Sequence, residues 1–165
     1  MRKKQGIFVL FLLCLSVLLG GCTAHTDYFE PFRGAFVAEV EGEWNGEPFS
    51  ARLEEGALPT EGARQVTLTF YAPSGLSGMT VTREASGAIT LRSGEVCVEE
   101  TAAPGLLSLL DLFPTQGNVG EVTLTEEGYT KVAGEGFAVL FLADGTPYAI
   151  QTPEAEVTVV RFLAV

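Results

Sequence analysis

Residues 32–54, FRGAFVAEVEGEWNGEPFSARLE, decide the fold. The even positions from Phe32 to Trp44 are apolar or small, while Glu39, Glu41 and Glu43 take the odd ones from 39 onward. Successive side chains of a strand point to opposite faces, so this stretch reads as a strand with one buried and one acidic face. Asn45-Gly46 follows. Both central residues of the tightest hairpin turn need a positive φ, and this dipeptide supplies them. A two-residue turn there sets Gly42 opposite Phe49, Val40 opposite Ala51 and Ala38 opposite Leu53, all on the apolar face. Ser50, Arg52 and Glu54 fall on the other face. Period and turn agree, and a hairpin is predicted.

The same period continues outward. In 65–72, Val66, Leu68 and Phe70 alternate with Thr67, Thr69 and Tyr71. Short strands are predicted at 79–83, 88–92, 95–100, 121–125, 129–133, 137–142, 148–152 and 156–163, separated by Gly- and Pro-bearing turns. Residues 104–113, PGLLSLLDLF, break the alternation. Leu106, Leu109, Leu110 and Phe113 share one helical stripe, and Leu107 and Leu112 point away from it. That predicts one short helix over 104–113, buried between two surfaces. Many short strands with one interrupting helix imply a mainly β (α+β) domain. The expected architecture is a curved antiparallel sheet, an incomplete β-barrel, wrapped on a short Leu-rich helix.

The chain has 165 residues and is 47% apolar, enough for one domain with a real core. The first 21 residues stand apart. Arg2, Lys3 and Lys4 precede an apolar run from Ile7 to Leu19 broken only by Ser16. The run is short for a bilayer span, which needs about 20 residues, and suits a signal-peptide core. It ends in Leu19-Gly20-Gly21-Cys22. This resembles the bacterial lipobox, an aliphatic residue and two small residues before a Cys. The resemblance implies cleavage between Gly21 and Cys22 and a diacylglyceryl group on the Cys22 thiol. Two acyl chains anchor a protein stably where one does not. The expected organisation is a lipoprotein signal peptide at 1–21, a lipidated N-terminus and tether at 22–31, and the β domain at 32–165. The expected location is extracytoplasmic, on the cell membrane.

Without the first 21 residues, seven Lys and Arg face 21 Asp and Glu, a net charge near −14. Such a surface repels phosphate backbones and anionic head groups, which argues against nucleic acid and against a basic membrane patch. Attachment to a membrane then falls to the lipid on Cys22. Cys14 leaves with the signal and Cys22 is lipidated, so Cys97 has no intramolecular partner. His25 is the single histidine and lies in the tether. Neither a His-dependent triad nor a His-rich zinc site is expected. There is no nucleophile elbow and no Gly-rich phosphate loop. The acidic pairs Glu54-Glu55 and Glu126-Glu127 sit beside turns, and adjacent strand positions face opposite ways. No enzymatic activity, cofactor or metal is expected.

The order of elements carries a further resemblance. An N-terminal hairpin is followed by a strand ending in a Pro-x-x-Leu-x-Gly loop at Pro73, Leu76 and Gly78. A Leu-rich helix comes after two more strands, and the chain closes through Asp144-Gly145-Thr146-Pro147 into a strand carrying Val160-Arg161-Phe162. This resembles small lipoproteins of Gram-positive bacteria with the LolA/LolB-like fold, although no long helix precedes Phe32. The resemblance implies an incomplete barrel around an apolar cavity. Its function would be to bind a lipid or lipopeptide. The candidate lining is Phe36, Val40, Phe49, Leu68, Phe70, Leu106, Leu109, Leu110 and Phe113. The fold also includes a spore-germination lipoprotein that partners a cell-wall amidase. The alternative is therefore a non-enzymatic scaffold or regulator for another envelope, spore-coat or cortex protein, docked on the acidic face of Glu39, Glu41 and Glu43.

Overall fold

The computed structural model describes residues 26–100 and 104–165. A 3-10 turn at Glu30–Phe32 leads into the first meander: β1 (Phe36–Trp44), β2 (Glu47–Glu55), β3 (Val66–Ala72), β4 (Thr80–Arg83), β5 (Ile89–Ser93) and β6 (Val96–Glu100). The helix α1 (Pro104–Leu110) follows. The second meander is β7 (Val119–Leu124), β8 (Thr130–Gly134), β9 (Phe137–Phe141), β10 (Pro147–Gln151) and β11 (Ala155–Ala164). All 11 strands form one antiparallel sheet in the order β6-β5-β4-β3-β2-β1-β11-β10-β9-β8-β7. The first and last strands of the chain meet at its middle.

This order explains the helix. β6 and β7 are the two free edges, yet they are consecutive in the chain. Eleven strands about 4.8 Å apart would place the edges of a flat sheet roughly 48 Å from each other. The connecting segment contains α1, which at about 1.5 Å per residue is only about 10 Å long. The remaining connection would be nearly taut across a flat sheet. The sheet instead curls, remains unclosed, and takes α1 on its inner face. Register shifts at Glu39/Val40, Ser50/Ala51, Pro147/Ala149 and Val119/Glu121 supply local bends.

The predicted hairpin has the predicted register: Gly42 pairs with Phe49, Val40 with Ala51 and Ala38 with Leu53. Asn45 and Gly46 have φ of 52° and 79°, as the tight turn requires. Gly42 has a second reason to be glycine. A Cβ there would run into the Glu156 carbonyl oxygen and come within 2.7 Å of the Val157 Cα, so β1 and β11 approach too closely for any side chain.

Two predicted boundaries differ from the structure by three residues or more, and the other strand ends lie within two. Phe32 lies in the 3-10 turn, not in β1. Pro31 sits in its first turn, and the Phe32 and Arg33 amides donate to the Phe29 and Glu30 carbonyls. Proline's fixed φ favours that turn over an extended start. The helix ends at Leu110, short of Phe113. Pro114 disfavours helical backbone at the residue before it. Leu112 and Phe113 leave the helix but stay buried.

The inner face is tightly filled. Phe32, Phe36, Leu53, Leu68, Phe70, Leu109, Leu110 and Leu112 are the largest side chains sealed from solvent. Phe36 and Phe113 meet edge to face with centroids 4.9 Å apart, and Phe32 lies 5.5 Å from Phe113 and 5.9 Å from Phe141. The Trp44 indole N–H donates to Ser108 Oγ at 3.3 Å and ties the helix to the end of β1.

Candidate functional site

Three neighbouring strands carry their apolar inner series to one rim, and each series ends in a charge. On β2 the inward residues are Phe49, Ala51, Leu53 and then Glu55. On β3 they are Val66, Leu68 and Phe70, and one alternation step earlier stands buried Arg64. On β4, Val81 is followed by half-buried Arg83. The register sets these together: Glu55 pairs with Val66, and Val66 with Arg83.

The Arg64 and Glu55 side chains are only 5% and 2% exposed. Arg64 Nη1 lies 2.9 Å from Glu55 Oε2. Its Nε donates to the Gly56 carbonyl and its Nη2 to the Gly34 carbonyl, each at 2.6 Å. The guanidinium also lies over the Phe36 ring, 5.0 Å from the centroid. Arg83 extends the network. Its Nε donates to the Arg64 carbonyl at 3.0 Å, and its Nη1 meets Asp111 Oδ1 at 2.7 Å. Its Nη2 lies 3.5 Å from the Leu110 carbonyl, so a cation caps the C-terminal end of α1.

Two polar atoms in this network remain incompletely satisfied. Glu55 Oε1 and Arg64 Nη1 are buried and form no aligned hydrogen bond with any described residue. Nη1 contacts Oε2 as an ion pair without the alignment of a hydrogen bond. Burial pushes the Glu55 carboxyl up to about 8 against the opposing pull of Arg64 and Arg83, with Asp111 adding a smaller upward push. Burial also lowers the Arg64 guanidinium from its ordinary value, partly offset by Glu55.

This network floors a cleft of about 470 Å³ at the C-terminal end of α1, walled by Leu58, Leu110, Leu112, Phe113 and Phe137. The volume falls within the roughly 300–1,000 Å³ of small-molecule sites. A larger recess of about 700 Å³ lies between the segment at Tyr28 and Phe29 and the start of β7, but no buried charge lines it.

The candidate residues from the sequence fall in three places. Cys22 and the Gly21–Cys22 junction lie outside the described residues. Phe36, Val40, Phe49, Leu68, Phe70, Leu109, Leu110 and Phe113 are buried in one core cluster, with Leu106 half-buried against it. Of these, Leu110 and Phe113 also wall the cleft. Glu39, Glu41 and Glu43 lie on the outer face of β1. Glu39 faces Arg52 across β2 and Arg161 across β11, its oxygen 3.9 Å from the Arg161 guanidinium. Glu41 and Glu43 are exposed, and Glu43 faces exposed Glu156. Glu55, Arg64, Arg83 and Asp111 were not singled out as a group by the sequence. The available signal was that Glu55 and Arg64 continue the inward series of their strands.

The fold is thus a mainly β, open and curved antiparallel sheet wrapped on one short Leu-rich helix, with a cleft where helix and sheet part. Among the described residues no helix is long and apolar enough to cross a membrane, and no cluster of His, Cys, Asp or Glu is placed to hold a metal ion. No protein-family model matches the chain, and no curated protein does. Among solved structures, an uncharacterized conserved protein from Thermus thermophilus is similar in fold, with 17% identity and a TM-score of 0.50 over 82% of each chain. A LolA superfamily protein from Nitrosomonas europaea aligns over 81% of this chain and 87% of its own, with 6% identity and a TM-score of 0.42.

Proposed function

We propose that this chain is a lipid-anchored extracytoplasmic protein that acts by binding, not catalysis. Cys22 carries the anchor, and the ligand is an apolar or amphiphilic molecule such as a lipid or lipopeptide. The observation that carries the reading is the cleft beside α1, where Leu58, Phe113 and Phe137 stand beside polar residues such as Arg83, Thr115 and Gln116, a lining that suits an amphiphile. The interior of the half-barrel is occupied by the protein's own Phe and Leu side chains, so the ligand's place is the rim cleft. Two measurements test this. Metabolic labelling with an alkyne fatty acid should mark the full chain and fail in Cys22→Ser. A diazirine-bearing acyl probe should crosslink to peptides containing Leu58, Leu110 or Phe113 when the full chain sits in membranes. Labelling that survives Cys22→Ser sinks the anchor, and crosslinks spread evenly over the surface sink the cleft.

A second reading rests on the exposed acidic strip of Glu41, Glu43 and Glu156, which suits a basic partner protein in the envelope. Charge reversal at these three positions should then abolish crosslinking to that partner. An unchanged crosslinking pattern removes this docking surface.

A further inference from the structure

We infer that the uncovered inner side of β7 is the face on which this protein rests against the bilayer. This builds on the anchor reading above and names the surface that the lipid on Cys22 turns toward the membrane.

Directly opposed residues of an antiparallel pair share a face. Val122 stands opposite Val132 and Leu124 opposite Thr130, and the two rows continue to Val139 and Phe141 on β9. Val132, Val139 and Phe141 are buried, so both rows lie on the inner side of the sheet. At β7, a free edge, the cover runs out: Val122 is 44% exposed and Leu124 74%. Glu121 stands opposite Ala133 and falls on the other face.

The point where the chain enters the fold says what covers this strip. Thr26 walls the larger recess together with Tyr28, Phe29, Val119 and Val122, and Asp27 and Arg33 in the same wall pair with each other. Four residue steps separate Thr26 from Cys22. An extended chain gains at most about 3.6 Å per residue, so the Cys22 Cα stays within about 14 Å of Thr26. Acyl chains on Cys22 enter the bilayer within that reach, which brings the membrane surface up to the recess and the strip beside it. A protein partner on the same strip would have to share that gap with the bilayer. Unpaired backbone groups of a strand edge do not enter hydrocarbon, so the edge stays among the head groups and only the Val and Leu side chains reach below them. Glu126 and Glu127, in the turn after Leu124, repel anionic head groups, so the contact favours neutral lipid.

The test uses the full lipidated chain in dioleoylphosphatidylcholine vesicles. Cys97→Ser removes the exposed thiol, and a nitrobenzoxadiazole label is then placed through Val122→Cys, Leu124→Cys or, at exposed Val160 on β11, Val160→Cys. Quenching by lipids that carry a nitroxide in the acyl chain gives the depth of each label. The labels at 122 and 124 should lie about 5 Å below the head groups, as apolar faces at the interface do, and the label at 160 should stay unquenched. Leu124→Asp changes a largely exposed side chain and leaves the core intact. It should drop the quenching of the label at 122 to the level at 160, with flotation on the vesicles unchanged. A chain that floats with the vesicles but shows equal quenching at all three positions, or none at 122 and 124, overturns this face and leaves the anchor reading standing. Labels at 122 and 124 that are shielded from aqueous iodide without lipid quenching mean that a second copy covers the strip, and overturn the bilayer as its occupant. A chain that does not float overturns the anchor reading, and this inference with it.

Discussion

Replacing Arg64 by Met tests whether the buried pair holds the rim together. The substitution keeps much of the side chain's length and removes the guanidinium. Three interactions disappear: the ion pair with Glu55 at 2.9 Å and the two charged hydrogen bonds to the Gly34 and Gly56 carbonyls at 2.6 Å. Stranding one partner of a buried ion pair costs about 3–5 kcal/mol. Leaving a buried acceptor unmatched costs about 1–3 kcal/mol. These losses overlap, and pH separates them, because burial holds the Glu55 carboxyl near 8. At pH 9 the parent holds a charged pair, and the variant must either strand the Glu55 carboxylate or protonate a carboxyl that has lost the downward pull of Arg64, so a loss of about 3–5 kcal/mol is expected. At pH 6 the carboxyl is neutral, and the carbonyls alone leave about 2 kcal/mol. Urea unfolding of the full chain followed by tryptophan fluorescence, which reports on Trp44 beside α1, measures both values. The double variant Glu55→Leu/Arg64→Met should recover part of the loss at pH 9, since an apolar pair strands no charge. A loss under about 1 kcal/mol at both pH values, or a double variant no better than the single one, would refute the reasoning.

Other outcomes follow from the same geometry. Glu55 has a folded value of about 8 against an ordinary 4.5, so the unfolded chain gives up this proton first. Stability from this group is therefore complete below about pH 4.5 and declines until about pH 8. Thermal unfolding between pH 5 and 9 should show that slope, and Glu55→Gln should flatten it; an unchanged slope means that another group titrates. At the hairpin, Gly42→Ala forces β1 away from the Glu156 carbonyl and should cost about 1–3 kcal/mol. Gly75→Ala, with nothing within 4 Å of the added methyl, should stay within about 0.5 kcal/mol of the parent in the same denaturation assay.

What the sequence made legible was what local physics determines. In β1 and β2 the alternation and Asn45-Gly46 act within a few residues of each other, so their register could be derived before any tertiary contact was known. Phe32 was misplaced because it continues the even-numbered apolar series, while Pro31 turns the backbone into a 3-10 conformation. The apolar run extends three residues beyond the helix for a related reason. Leu112 and Phe113 are as apolar as the helix and equally buried, but their burial comes from the sheet and not from a helical stripe. The rim network was harder still. Glu54-Glu55 reads as acidic residues beside a turn, and only Glu54 behaves that way. Glu55 turns inward, and its partner Arg64 comes from across an eight-residue loop whose path the sequence leaves open. Arg83 and Asp111 come from further away again.

A buried ion pair is weak evidence for stability, because apolar residues of similar size often serve as well. Its place at this rim therefore calls for another account, and the Arg64 contacts supply one. The guanidinium reaches Gly34 just before β1 and Gly56 just after β2, while Arg64 itself stands just before β3. One side chain thus fixes the ends of three adjacent strands where the sheet has no covering helix. Arg83 carries the tie onward to Leu110 and Asp111 at the end of α1. An apolar substitute would fill the same volume but hold none of these backbones in place. The polar network keeps the mouth of the cleft in one shape, and a mouth of fixed shape is what selective binding of a small molecule requires.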